Sequence, residues 1–296
     1  MKNIFENIEK LICAEEIAPY GKNQKITPFF YDPQKKVKLY NGDALELLKR
    51  IPDKCIDLIF ADPPYFGNQS GLVMKRTDGH AETFDTQKAK WAYSKSLSYQ
   101  FAFHYAWLKE AQRILKDGST IWITGTYHSI GVINVVLQEL GFKILNDIIL
   151  HKRNAPPNFK GSCFRAVTET MLWAKKNNRG KTKFNYWQMK RLNGNIQMKN
   201  LWEYWAEKNP FRHPATKQQI VLEYALLAGS NEGDLNQFKK FFAFFICQNY
   251  SFAIIVLARL TRTNILFIIG VANEDCINFF FFKHMIMIGV SSNGSW

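Results

Sequence analysis

The sequence predicts an α/β fold with a doubly wound, mostly parallel sheet, in a chain of 296 residues that is long enough for one large domain or two small ones. Apolar runs of strand length alternate with segments of helical period, which is typical of strand–helix–strand units. The run Ile56–Phe60 is short and wholly apolar, as expected of a parallel strand buried on both faces. Functional residues in this fold class lie at the carboxyl ends of strands.

The elements follow in chain order from period and turn residues. Val37 and Leu39 alternate with lysines, which predicts a half-buried strand, and Gly42–Asp43 predicts a turn with Asp43 as a helix N-cap. A helix carrying Leu45, Leu48 and Ile51 is expected next, ended by Pro52, and the strand Ile56–Phe60 follows it. Residues 66–100 are expected to be a long loop or an insertion. The elements expected after it are a helix over 101–116 capped by Asp117–Gly118, a strand over Ser119–Gly125, a helix over His128–Leu140 and a strand over Phe142–Leu150.

The charge balance indicates a polyanionic partner. Lys and Arg number 39 against 25 Asp and Glu, a formal charge of +14, which favours nucleic acid, although a basic solubility surface would give the same count. Five widely spaced cysteines without a CxxC pair argue against a zinc ribbon and fit reduced thiols in the cytoplasm. No uncharged apolar run of membrane-spanning length and no secretory signal pattern is found, so neither a membrane nor a metal partner is expected.

A basic and aromatic segment, residues 175–191, suits DNA contact. It contains seven Lys and Arg residues and no acid, interleaved with three aromatic rings. Such a mixture can neutralise phosphates and stack on bases, whereas the plain alternative is a solvated surface loop. The residues expected to contact DNA are Lys181, Lys183, Tyr186, Trp187, Lys190 and Arg191.

The string Asp62-Pro63-Pro64-Tyr65, which follows the strand Ile56–Phe60, has the chemistry to activate an exocyclic amine. Such an amine is a poor nucleophile because its lone pair is delocalised into the ring. The Asp62 carboxylate and the Pro63 carbonyl could accept its two hydrogens and stabilise the positive charge that develops on nitrogen. Consecutive prolines stiffen the turn and remove N–H donors, and Tyr65 could stack on a base swung out of the helix. The plain alternative is a rigid turn at the end of a strand.

With these residues the chain resembles the DNA amino-methyltransferases of restriction–modification systems, in the arrangement where the catalytic block precedes the cofactor loop. The resemblance covers residues 37–234 and is carried by LYNGDALELLKRIPDKCIDLIFADPPY, LKEAQRILKDGSTIWITG, HKRNAPPNFKGSCFRAVTETMLWAKK, NGNIQMKNLWEYW and HPATKQQIVLEYALLAGSNEGD. It implies a Rossmann-like S-adenosylmethionine-dependent methyltransferase fold and direct methyl transfer to a flipped base in double-stranded DNA, without a metal. An Asp in the first position of the tetrapeptide usually accompanies adenine N6 as the target, and Ser more often accompanies cytosine N4.

The resemblance also implies a role for each matching residue. Asp62 and Pro63, supported by Pro64, would hold the amine, and Tyr65 would stack on the base. The residues expected around S-adenosylmethionine are Asp43, Asp62, His213, Thr216 and Lys217, with Lys217 meeting the methionine carboxylate. From the residues alone, Asp43 could equally be a plain N-cap, His213 a turn residue and Lys217 a surface lysine. A homodimer and a cognate restriction endonuclease are further partners that the resemblance admits.

The sequence departs from the family after Gly233–Asp234. The family pattern has a strand and a glycine-rich loop there, which lets backbone approach the cofactor, but this chain contains no G-x-G. The interpretation that the sequence favours is an altered tail and a catalytically impaired DNA-binding remnant. Another is that Ala253–Ala258 and Asn264–Val271 supply replacement strands, with Glu274 or Asp275 near the cofactor ribose.

The expected organisation has five parts. They are a leader over 1–36 with a short helix near Ile4–Ile12, a catalytic core over 37–175, a target-recognition region over 176–212, a cofactor-side helix over 213–234 and a divergent tail over 235–296. Within the core, Gly67–Gly79 would be a mobile loop beside the substrate. Rival hypotheses are an RNA or protein amine methyltransferase and an unrelated nucleotide-dependent enzyme, and the absence of a phosphate-binding glycine loop weakens the latter.

Overall fold

A computed structural model describes most of the chain. The described residues are 28, 30–32, 37–42, 44–67, 73–75, 81–83, 95–158, 161–205, 218–230, 252–260 and 263–271. The expected helix near Ile4–Ile12 and the acids Glu274 and Asp275 lie outside them.

A nine-stranded sheet organises the molecule, in the order β1-β2-β10-β11-β3-β6-β8-β7-β9. A separate antiparallel hairpin pairs β4 with β5. The strands are β1 Phe30–Asp32, β2 Val37–Gly42, β3 Ile56–Asp62, β4 Val73–Lys75, β5 Ala81–Thr83, β6 Leu115–Gly125, β7 Lys143–Lys152, β8 Thr168–Lys175, β9 Leu201–Tyr204, β10 Phe252–Leu260 and β11 Thr263–Val271.

Most strands of the sheet run in one direction. β3 lies between two parallel neighbours, β11 and β6, and β7 is parallel to β9. The reversed strands β8 and β10 each separate two strands that run with β3, so β2, β3, β6, β7, β9 and β11 all point the same way. We call the edge where these six strands end the carboxyl edge and the opposite one the amino edge. The predicted doubly wound, mostly parallel fold is confirmed.

Helices cover both faces of this sheet in the part of the chain that is described. One face packs on three helices through Leu48, Leu108, Val136 and their neighbours, and the other packs on two helices through Met189, Leu222 and Leu226. Burial of these apolar stripes is what holds the layers together. The helices are α1 Ala44–Lys49, α2 Leu97–Ile114, α3 Ile130–Glu139, α4 Tyr186–Leu192 and α5 Gln219–Gly229.

Two expectations about local structure were wrong. Helix α2 ends at Ile114 rather than near Asp117–Gly118, because Leu115 is fully buried and already pairs with Ile56 in the sheet. Tertiary pairing overrides the helical pattern of this segment. The region 66–100, expected to be a long loop or an insertion, contains the β4–β5 hairpin, and α2 begins within it at Leu97, four residues earlier than expected.

The tail after residue 235 contributes to the central sheet. β10 pairs with β2 and β11 pairs with β3, with Ile269 opposite Asp62. These strands contain the segments that the second interpretation of the tail proposed as replacement strands. Within the described ranges no helix has the length and apolar character needed to cross a membrane, and Cys55 and Cys163 are free thiols. The cytoplasmic location stays a prediction.

Candidate active site

The tetrapeptide begins at the carboxyl edge of the sheet. Asp62 is the last residue of β3, between Ile269 of β11 and the end of β6 at Gly125. This is the position where open α/β sheets bind their ligands.

The Asp62 carboxylate is held by two hydroxyl groups. Oδ1 accepts a hydrogen bond from Thr124 Oγ1 at 2.5 Å and another from the Tyr65 hydroxyl at 2.6 Å. Thr124 is fully buried on β6, and Asp62 is 4% exposed. Hydrogen bonds to an ionised acceptor are stronger than neutral ones, so these donors fix the carboxylate in one orientation.

The turn after Asp62 is anchored by the residue that follows the tetrapeptide. Pro63 and Pro64 are buried, and Phe66 is 4% exposed with a left-handed φ of 50°. The Phe66 ring makes edge contacts with Tyr99, Phe103 and His104 of α2, at centroid distances of 5.6 to 5.9 Å. A non-glycine residue keeps such a φ only where packing compensates for it, so this aromatic cluster holds the turn in its strained conformation.

His104 supports the cluster from within the protein. It is fully buried, and its Nδ1 accepts a hydrogen bond from the Trp107 indole at 3.1 Å. Desolvation lowers the pKa of His104 to about 3, so the ring is neutral at physiological pH. A neutral ring with an accepting Nδ1 carries its proton on Nε2.

The loop at the end of β6 closes against the other side of this turn. A side-chain carbon built on Gly67 would lie 2.6 Å from His128 Cδ2, so only glycine fits there without a shift of the imidazole. Tyr127, next to His128, is exposed. The carboxyl edge near Asp62 therefore presents an aromatic ring to solvent.

Four predicted cofactor-binding residues, Asp43, His213, Thr216 and Lys217, lie outside the described residues. Helix α5 begins at Gln219, two residues after Lys217. Its Tyr224 packs on Trp202, close to the carboxyl end of β7, whereas Gly229 approaches Leu58, four residues before Asp62. The amino-terminal end of α5 therefore lies toward the carboxyl edge, where its free N–H groups can receive an anion.

The 175–191 segment leaves the sheet at the other edge. The Lys181 carbonyl oxygen lies 2.8 Å from a carbon built on Gly118, and Gly180 packs on Asp117, near the start of β6. The structure therefore does not bring Lys181 and Lys183 together with Asp62. Trp187 is 67% exposed on α4, with the Lys190 ammonium 5.4 Å from its ring centroid. This pair has the exposure that base stacking requires.

Two lysines of the same segment have structural roles. The ammonium of Lys175 donates to the Gly180 carbonyl at 2.6 Å, and that of Lys176 donates to the Leu115 carbonyl at 2.5 Å. Burial lowers the pKa of Lys176. Neither lysine is available for phosphate contact, which a count of charges in the sequence did not reveal.

Sequence reasoning missed Thr124, Phe66 and the loop between β7 and β8. Thr124 is the last residue but one of β6, and nothing in the sequence around it indicates that it contacts Asp62. The loop, residues 153–167, has Arg153, Lys160 and Arg165 with two phenylalanines and no acid, the same signal that marked 175–191. It connects the end of β7 to the start of β8 and so lies at the carboxyl edge.

A cavity of about 510 Å³ lies elsewhere, between the sheet and α4. Trp122, Trp173 and Trp202 line it, with Gln197 and Lys199, and Asp62 is not among the lining residues. The indoles of Trp122 and Trp173 stack at 4.8 Å. This cavity is separate from the carboxylate site.

Comparison with known proteins assigns the class. A family model described as DNA methylase matches residues 56–236. The type II methyltransferase M2.MboI of Moraxella bovis is 36% identical over 215 residues, which cover 71% of this chain and 77% of that protein. The type II methyltransferase M2.DpnII of Streptococcus pneumoniae is 34% identical over 218 residues, covering 71% and 78%. The solved PvuII DNA methyltransferase, described as cytosine-N4-specific, overlaps 65% of this chain and 70% of its own with 19% identity and a TM-score of 0.46. The chain belongs to the DNA methylase family.

The described residues fit S-adenosylmethionine by the chemistry of their groups. The cofactor carries a positive sulfonium and ammonium and a negative carboxylate. The Asp62 carboxylate at the carboxyl edge suits the positive groups, and the amino-terminal end of α5 suits the carboxylate. Gly270, one residue beyond the partner of Asp62 on β11, adds a position without a side chain at this edge.

Proposed function

We propose that this chain methylates the exocyclic N6 amine of adenine at a specific site in double-stranded DNA. The observation that carries the proposal is the Asp62 carboxylate, oriented by Thr124 and Tyr65 at the end of β3, within the segment that matches the DNA methylase family. Asp in the first position of the tetrapeptide favours adenine over the alternative, cytosine N4.

The residues of the site act on the amine as a pair of acceptors. The flipped adenine reaches Asp62 by taking the place of the Tyr65 hydroxyl at Oδ1, after which the Tyr65 ring stacks on the base. Because Asp62 is almost fully enclosed, little water competes for its oxygens, and the carboxylate stabilises the positive charge on nitrogen more strongly than it would in water. The Pro63 carbonyl accepts the second hydrogen of the amine.

S-adenosylmethionine, when bound, supplies the electrophilic methyl group. Asp62, His213, Thr216 and Lys217 are proposed to hold it, together with Asp43 near its adenine end and the amino-terminal end of α5. Lys217 directly precedes the residue that caps α5, and a cation there pairs with the methionine carboxylate.

Substitution of Asp62 tests this function. Asp62→Ala should abolish transfer of tritiated methyl groups from labelled cofactor to unmethylated duplex DNA, while leaving most of the DNA affinity measured by fluorescence anisotropy. Asp57→Ala is the matched control, because Asp57 lies at the other end of β3 and pairs with Lys116 at the surface. Turnover by Asp62→Ala comparable to that of the unaltered protein would refute the proposed role.

The alternative function is a catalytically impaired DNA-binding remnant, which the missing G-x-G loop motivates. The strands β10 and β11 weigh against it, because they complete the sheet beside β3. Isothermal titration with S-adenosylmethionine separates the two. Micromolar binding contradicts impairment, and no binding together with retained DNA affinity supports it.

Two partners complete the proposal, a cognate restriction endonuclease and a second copy of the chain. Size-exclusion chromatography with light scattering measures the homodimer directly. Protection of host DNA from cleavage, with and without this protein, tests the endonuclease.

A further inference from the structure

Among its described residues, the loop at 153–167 exposes the aromatic ring of Phe164 to solvent at the carboxyl edge. Phe164 is 98% exposed, the highest value for a large apolar side chain among the described residues. Single exposed apolar residues are common, so exposure alone assigns nothing. The surroundings of Phe164 are what distinguish it.

The residues on both sides of Phe164 are bonded to the other arm of the loop. The Asn158 amide donates to the Cys163 carbonyl at 3.0 Å, and the Arg165 guanidinium donates to the carbonyl of buried Ala155. The neighbours before and after the ring are therefore each bonded to the opposite arm of the loop. A loop anchored in this way loses little backbone freedom when it binds a partner.

The charge beside the ring is positive and directed at the same edge. Arg165 adjoins Phe164, and Lys152 ends β7 at the base of the loop. Arg153 is neutralised in part by Glu203, whose carboxylate accepts from it at 2.8 Å and lies 2.9 Å from His151 Nδ1. Lys152 and Arg165 are therefore the described cations of this loop that suit a polyanion.

The position of the loop matches the dimensions of DNA. β8 and β7, which it joins, are the second and third neighbours of β3 in the sheet, so the loop leaves the sheet about 10 to 14 Å from the strand that ends at Asp62. The major groove of DNA is about 12 Å wide. The loop is therefore close enough to Asp62 for one duplex to contact both.

Resting on the function proposed above, we propose that Lys152 and Arg165 bind the phosphates of duplex DNA and that Phe164 is the wedge that fills the space left by the flipped base. Apolar side chains of this kind enter base steps and unstack them. Extrusion of a paired base costs on the order of a few kcal/mol, and least for a mismatched base. The wedge lowers this cost, so its effect depends on whether the target base is paired.

The test compares two duplexes and needs the recognition site, which methylation-aware sequencing of phage DNA treated with the unaltered protein provides. One duplex carries a paired target adenine and the other a mismatched one. Phe164→Ala should lower kcat/KM at least about tenfold on the paired duplex and less than about threefold on the mismatched one. Equal losses on both duplexes, or no loss on the paired one, would overturn the proposal.

Three controls make the result interpretable. Phe164→Leu keeps an apolar wedge and should retain most of the activity. Val135→Ala, at a 56% exposed site on α3, should change nothing. The melting temperature of Phe164→Ala should stay unchanged, because the exposed ring packs on nothing.

Failure of the proposed function has a different signature. In that case the unaltered protein transfers no methyl groups to any DNA. The role of Phe164 as a wedge is then tested by the affinity of the protein for duplexes with a central adenine that is either paired or mismatched. Phe164→Ala should raise the preference for the mismatched duplex, and an unchanged preference contradicts the proposal.

Discussion

At the scale of the residue, the proposed active site depends on one carboxylate and the hydroxyl groups that orient it. The sequence made Asp62 a candidate because the tetrapeptide follows an apolar strand. It did not predict Thr124, since a threonine at the end of a strand has many uses and its approach to Asp62 joins residues 62 positions apart. The anchoring of Phe66 was equally hidden, because a left-handed φ at a phenylalanine depends on the surrounding rings.

Replacement of Thr124 tests the orientation of Asp62. Thr124→Val keeps the shape of the side chain and removes the donor to Oδ1. A hydrogen bond to a charged group contributes roughly 1.5–3 kcal/mol, so we expect kcat to fall about tenfold or more. Affinities for DNA and cofactor should change little, and Thr124→Ser, which keeps the hydroxyl, should stay near the unaltered rate. An unchanged kcat in Thr124→Val would remove Thr124 from the mechanism.

His104 gives the protein a dependence of stability on pH. Burial lowers its pKa to about 3, against about 6.5 in the unfolded chain, so the unfolded state binds more protons between these values. The stabilisation is present above pH 6.5 and is lost as the pH falls toward 3. At pH 5 the loss is about 2 kcal/mol.

Urea unfolding at pH 7 and pH 5 measures this effect. His104→Gln retains an acceptor for the Trp107 indole without the titrating ring, so its free energy of unfolding should fall less between the two pH values. The change in the free energy of unfolding between pH 7 and pH 5 is compared for the two proteins, so that the effect of the substitution at pH 7 cancels. Identical differences in both proteins would exclude His104 as the source.

At the scale of the element, the alternation of strands and helices was predictable because it depends on local period. The apolar runs predicted the positions of β3, β6 and β7, although β6 starts earlier than expected. The order of the strands was not predictable, since β10 and β11 enter the sheet between β2 and β3 from a tail more than 180 residues away along the chain. Their register rests on pairing with β2 and β3, which no local pattern encodes.

Truncation tests the contribution of these two strands. A chain that ends at residue 234 loses β10 and β11 and leaves an open edge on β3, five of whose seven residues are apolar. Exposed apolar edge strands pair with other chains, so we expect aggregation and loss of cooperative melting. A chain that ends at residue 271 keeps both strands and should melt cooperatively. Equal melting curves for the two truncated proteins would show that β10 and β11 add nothing to the fold.

At the scale of the whole molecule, the positive charge is divided between two edges of one sheet. The 153–167 loop lies at the carboxyl edge, and Lys181 lies beside Gly118 at the amino edge, two residues before Lys183 in the chain. Gly118 and Gly125 are seven residues apart on β6, which corresponds to about 23 Å. The Debye length at physiological salt is about 8 Å, so the two groups of charges act on DNA independently. A net charge read from the sequence cannot make this distinction.

The salt dependence of DNA binding assigns the phosphate contacts to their edge. Each phosphate contact changes the slope of log K against log salt by about 0.9, so a variant that loses two contacts changes it by about 1.8. Three double variants to glutamine remove equal charge, at Lys152 and Arg165, at Lys190 and Arg191, and at Lys181 and Lys183. We expect a shallower slope for each of the three double variants. The control, Lys109→Gln with Lys143→Gln, changes exposed sites outside 153–167 and 175–191 and should leave the slope unchanged.

The double variant at Lys181 and Lys183 is the most demanding test, because a duplex held at Asp62 must also reach the amino edge for these two lysines to contact it. An unchanged slope for that pair, with a reduced slope for Lys152 and Arg165, would confine the DNA to the carboxyl edge.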